Sequence, residues 1–94
     1  MVEQRNESTV FVGKKPVMSY VLACLTLFQD GTMDITLKAR GRAISKAVDA
    51  AQILTKKFVP DVKVKSVELT TELVRSEDSG ISSDVSSMEI HLSK

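Results

Sequence analysis

Two stretches of this chain repeat their apolar residues every three or four positions, and each follows directly on a β-prone stretch. Few folds satisfy that order. Val17, Met18, Val21, Leu22, Leu25 and Phe28 make the first helical stripe, with Pro16 suited to the first helical position and Asp30-Gly31 closing the segment. Ile44, Ala47, Val48, Ala51, Leu54 and Phe58 make the second, which starts near Ala43 and stops at Pro60. Thr9 to Val12 reads as a strand ending at Gly13. Ile35, Leu37 and Ala39 alternate with Asp34, Thr36, Lys38 and Arg40, as in a strand with one buried and one wet face. Two strands joined through a helix run parallel, by a right-handed crossover.

The last third is strand-like twice, over residues 62–74 and 85–92, around a Ser-, Asp- and Gly-rich stretch at 76–84. This predicts a long hairpin. Its apolar positions change phase between Val64 and Val67, which predicts a bulge or strong twist and an arm leaving the body. The expected fold is therefore of the α/β class, α+β sandwich type. Its order is βαβαββ, with two helices on one face of a four-stranded mixed sheet and a protruding C-terminal hairpin arm over about residues 62–92. Residues 1–7 read as a loose, flexible tail and 8–94 as one domain. With 94 residues and 43% hydrophobic content, the chain can build a single core, and oligomerisation would add to it.

Cys24 is the only cysteine, so neither an intrachain disulfide nor a cysteine-based zinc site is expected. The longest apolar stretch, Val21 to Phe28, is too short to span a bilayer, and the N-terminus lacks the apolar core of a signal peptide. A soluble, cytoplasmic protein without a membrane partner is the expectation.

The net charge of +1 hides an uneven division. Residues 1–60 carry a balance of +4 and residues 61–94 a balance of −3, so a polyanion would sit against the first sixty residues. Lys14 and Lys15 fall where the first helix begins, and Arg40 and Arg42 where the second begins. A helix start presents unpaired N–H groups and the positive end of the dipole, so cations there make an anion site. Gly13-Lys14-Lys15 lacks the upstream glycines of a phosphate-binding loop, and Pro16 stands where Ser or Thr would bind magnesium. Nucleotide hydrolysis is thereby disfavoured. A lysine pair by itself would be read as solubilising, but parallel strands bring their C-terminal ends to one side, so the two basic pairs converge. Gly41 would allow close backbone approach. Four cations exceed the need of one phosphate and suit a polyphosphate backbone, which favours nucleic acid over a small phosphorylated metabolite.

No catalytic constellation, metal site or cofactor site is expected. His91 alternates with Ile90 and Leu92 and reads as a surface histidine beside Glu89; Cys24 reads as a packing residue. Phe11, Tyr20, Phe28 and Phe58 are few and read as packing residues, which argues against a base-stacking platform. Phe58 lies in the helix-two stripe, near a helix end where a ring is often only partly covered. Ile53 lies roughly opposite that stripe, a position a second subunit would explain.

The segments GKKPVMSYVLACLTLF and KARGRAISKAVDAAQIL strongly resemble the Alba family of archaeal chromatin proteins, with the same element order over about residues 9–92. The resemblance implies a non-enzymatic homodimer of small α/β subunits, akin to the C-terminal domain of a bacterial translation initiation factor. It implies binding of double-stranded DNA and of RNA with little sequence preference, and a chromosome-associated location in the cytoplasm. Carried over residue by residue, the nucleic-acid surface takes Lys14, Lys15, Arg40 and Arg42. Lys14 matches the lysine acetylated in some members, and Phe58 matches a residue of contacts between neighbouring dimers. Family hairpins are basic, whereas residues 76–84 here hold Glu77, Asp78 and Asp84 with only Arg75 nearby. An acidic arm is repelled by phosphate, so it would touch DNA weakly, order only on binding, or favour RNA features. An RNA chaperone or a protein subunit of an RNA-processing particle is the nearest alternative reading.

Overall fold

The computed structural model describes residues 7–94. The chain runs β1 (Glu7–Phe11), α1 (Val17–Gln29), β2 (Asp34–Arg40), α2 (Ala43–Ile53) with a π-helical turn Leu54–Phe58, β3 (Lys63–Arg75) and β4 (Ser82–Ser93). These strands form one sheet in the order β1-β2-β4-β3, parallel between β1 and β2 and antiparallel elsewhere. The expected fold is the observed one. Most of the proposed tail lies outside the described residues, and Glu7 already pairs with Asp34 as the first residue of β1.

The alternation in β2 selects the buried face. Ile35 and Leu37 pair with Leu92 and Ile90 of β4, and all four are buried under the helices. Leu37, Leu54 and Leu92 are fully covered, each worth about 1.5–3 kcal/mol of burial. Ala47, Ala50 and Ala51 line the buried side of α2, where small side chains let the helix lie close on the sheet. Cys24 is buried in α1, and loss of solvation pushes its thiol up to about 12, as suits a packing residue.

Several assignments shift. The buried face of α1 is Tyr20, Val21, Cys24 and Phe28, so Met18 and Leu22 are exposed rather than core. The run from Val17 to Phe28 is so apolar that its period does not define a single stripe. Val48 is likewise at the surface, and Ile53 packs partly against the core rather than lying opposite it, because Ala50 turns the buried face of α2 toward it. Pro16 caps α1 instead of opening it. Phe11 is not a packing residue: it is 73% exposed, because Val10 and Val12 take the inward positions of β1.

The predicted phase change is a bulge. Val64 pairs with Leu92 and Ser66 with His91, leaving Lys65 as the extra residue. Val64, Val67 and Leu69 thereby stay on the helix-facing side of the sheet, beyond the reach of full cover by α2. β4 starts at Ser82, so the turn is shorter than 76–84, and the ribbon outruns β2, which ends at the Arg40–Ser87 pair.

Candidate nucleic-acid interface

The loop between β1 and α1 is held from inside by two side chains. Val12 N–H continues the ladder to Lys38 O at 2.8 Å, after which the backbone leaves the sheet. Gly13 and Lys15 then donate their N–H groups to the Tyr20 hydroxyl at 2.9 and 3.0 Å. Lys46 of α2 reaches across and donates Nζ to the carbonyls of Gly13 and Lys15 at 3.1 and 2.7 Å. Amides and carbonyls are thus satisfied inward, and the side chains of Lys14 and Lys15 project into solvent. Burial alone would raise the Tyr20 phenol. The Gly13 and Lys15 amides, with the charges of Lys46 and Lys15, outweigh that and leave it below its ordinary value.

The second basic pair flanks a tight turn. Gly41 adopts φ +56, the left-handed region, donates to Ser86 O at 2.8 Å and accepts from Ile44 N at 3.2 Å. Its need is conformational: a Cβ there would meet Val85 only at an ordinary 3.5 Å, so close approach is not what the glycine provides. Arg40 and Arg42 are exposed on either side. Neither α1 nor α2 has an acidic residue in its first turn or a side-chain cap, so both positive ends are uncompensated.

One groove of about 940 Å³ joins these parts. Lys14, Lys38, Arg40, Arg42 and Lys46 line it, opposed by Glu72 and Glu89 of the hairpin. Lys38 and Glu89 approach to 3.9 Å across the strands, a half-exposed pair that solvent screens strongly. Lys15 is exposed beside the groove without lining it. Arg75 lies at the far end of β3, paired with Ser82, and Phe58 ends the π-helical turn half-exposed, so neither joins the central patch.

On the open face of the sheet, Glu68, Glu89 and His91 bring potential ligand atoms within 4.8 Å of one another, a grouping absent from the sequence expectation. Thr36 Oγ1 and His91 Nδ1 share a hydrogen bond at 2.9 Å, and Nε2 faces Glu68 at 3.9 Å. This arrangement is also what an ordinary cross-strand polar cluster looks like.

The match of the Alba family model to residues 8–71 covers both basic pairs and the bulge. The chain belongs to the Alba family. It is 53% identical to DNA/RNA-binding protein Alba 1 of Archaeoglobus fulgidus over 94% of this chain and 97% of that one. It is 51% identical to DNA/RNA-binding protein Alba of Thermoplasma acidophilum, again over 94% and 97%. Among solved structures, Alba from Thermoplasma volcanium superimposes with a TM-score of 0.86 at 52% identity, covering 92% of this chain and 99% of that one. Within this Alba chain, sequence reasoning placed the cations and missed what orders them. Tyr20 is more than the packing residue its sequence context suggests, since its hydroxyl accepts from the Gly13 and Lys15 amides; a hydroxyl seven residues past Gly13 is the polar signal for it. Lys46 is likewise more than a surface charge, since its ammonium ties down two loop carbonyls.

Proposed function

We propose that this chain is a non-enzymatic binder of double-stranded DNA and RNA that recognises the phosphate backbone. The observation that carries the reading is the convergence of Lys14, Arg40 and Arg42 in one groove between two helix starts without acidic compensation. The naming of its relatives as DNA/RNA-binding proteins supports the same partner. Lys15 adds charge beside the groove. Charge at these positions attracts any sequence equally, so the chain coats duplex without reading base edges.

The working form is a homodimer. Val64, Val67 and Leu69 form an apolar strip on the sheet edge, with Leu69 72% exposed, and a second copy is the partner that such a strip fits. Dimers associate further through the half-exposed Phe58, acetylation of the exposed Lys14 lowers affinity by removing a cation, and Arg75 gives the arm its only basic foothold near the tip. The described residues act as one domain. Among the described residues no helix is long and apolar enough to cross a membrane. A place on the chromosome in the cytoplasm is proposed from the DNA/RNA-binding relatives. No cofactor enters this mechanism. The acidic residues Glu77, Asp78 and Asp84 keep a role in RNA chaperoning or an RNA-processing particle as the second reading.

A salt titration on random duplex DNA and on RNA tests the mechanism. If Lys14, Lys15, Arg40 and Arg42 of both subunits each neutralise a phosphate, log K against log salt for duplex DNA has a slope of about −7. A slope near zero would sink backbone neutralisation. Replacing residues 76–84 by a short turn and finding DNA affinity unchanged would assign binding to the body alone.

A further inference from the structure

Phe11 is a large apolar side chain that the core does not use. It ends β1 on the open face of the sheet, beside its cross-strand partner Lys38, while Val10 and Val12 supply the inward contacts of this part of the chain. A scattered surface aliphatic needs no explanation. A phenyl ring 73% exposed at the mouth of a cationic groove is a different case. Lys14, Arg40 and Arg42 line the same groove, and the Thr70 and Ser87 side chains offer hydroxyls along it.

Duplex nucleic acid has little use for such a ring, since its bases are stacked on one another and present only edges and phosphates. An unpaired nucleotide matches the aromatic, cationic and hydroxyl parts of the groove, its phosphates lying on the basic side and away from Glu72 and Glu89. Its base has a free π face for the ring, its phosphates meet the cations, and its sugar and base edge can bond the hydroxyls. We infer that Phe11 is a stacking platform for an unpaired nucleobase, with the neighbouring phosphates held by Lys14, Arg40 and Arg42. This rests on the proposed nucleic-acid binding and adds a second mode to it: duplex is held by charge alone, and single strands or loops by charge plus one stacked base. One ring serves one base, so the mode is tolerant of sequence.

The test compares the full chain with Phe11→Ala on a short oligouridylate, an oligothymidylate and a blunt DNA duplex of equal length, at one salt concentration. Loss of a stacked base predicts about tenfold weaker binding to the single strands, with duplex affinity held within about twofold. The two oligonucleotides separate RNA from DNA as the source of that base. The chain has no tryptophan, so Phe11→Trp installs a single indole, excited selectively over Tyr20, that single strands should quench and duplex should not. Equal weakening on all three ligands, or no change on any, overturns the inference, as does dissociation of the dimer by Phe11→Ala in sedimentation. Failure of the unmodified chain to bind duplex at all would instead defeat the underlying proposal.

Discussion

Changing Tyr20 to Phe removes one oxygen and leaves the buried ring in place, which makes it a clean test of how the Lys14–Lys15 loop is held. The lost oxygen accepts from Gly13 N at 2.9 Å and Lys15 N at 3.0 Å. Lys15 is exposed, so its freed amide can turn to water and the loss there is that of an ordinary bond, whereas the half-buried Gly13 amide is less easily hydrated. At roughly 0.5–1 kcal/mol for the first and roughly 1–2 for the second, Tyr20→Phe should cost about 2 kcal/mol. For a domain of this size that lowers the melting temperature by roughly 8–16 °C. Urea and thermal unfolding at fixed chain concentration give the stability change, since the proposed dimerisation would make both depend on concentration. Amide hydrogen exchange gives the cause. Gly13 and Lys15 should lose protection while Val12, bonded to Lys38 O at 2.8 Å, keeps it. A variant within about 0.3 kcal/mol of the parent, with both loop amides still protected, would show that Lys46 alone holds the loop and that the hydroxyl is dispensable.

Gly41→Ala should destabilise by about 1 kcal/mol through its positive φ, with no clash at Val85, and denaturant titration should show the loss without a change in slope. Leu69→Asp should leave the fold intact and convert the proposed dimer to monomer in sedimentation, with duplex affinity falling as the two proposed patches separate. Alkaline pH should destabilise the chain through Cys24. The folded thiol is held near 12 by burial while the unfolded one ionises near 9, so stability is full below pH 9 and falls as pH rises toward 12. The loss is about 1.4 kcal/mol by pH 10 and should vanish in Cys24→Ala. Tyr20, whose phenol is lowered on folding, contributes in the opposite sense at high pH, so the thiol effect is best measured in the Tyr20→Phe background.

Elements whose residues alternate or repeat cleanly were readable, because one period satisfies one buried face. β2 is the clearest case, with Ile35, Leu37 and Ala39 all buried as their spacing requires. The Lys65 bulge was readable for the same reason: only an inserted residue keeps Val64 and Val67 on one side. Met18 and Leu22 were misread because α1 is apolar around much of its circumference, and Phe11 because Val10, Phe11 and Val12 form a run with no polar residue to mark the outer face. The convergence of the cations followed from parallel pairing. The inward clamp on their loop did not, since Tyr20 and Lys46 come from different helices and meet the loop only in the tertiary structure.

Past the Arg40–Ser87 pair the hairpin loses its third strand and continues as a two-stranded ribbon to Arg75 and Ser82. A two-stranded ribbon has little stability of its own in water. The protein therefore joins two materials of different stiffness, a packed body and a compliant arm that bends beyond its last supported rung. On the proposed reading, in which Arg75 gives the arm a foothold on the polymer, such an arm follows a curved, kinked or irregular helix by deforming itself, and variation in the shape of the polymer is absorbed at the periphery while the cations of the body keep their spacing.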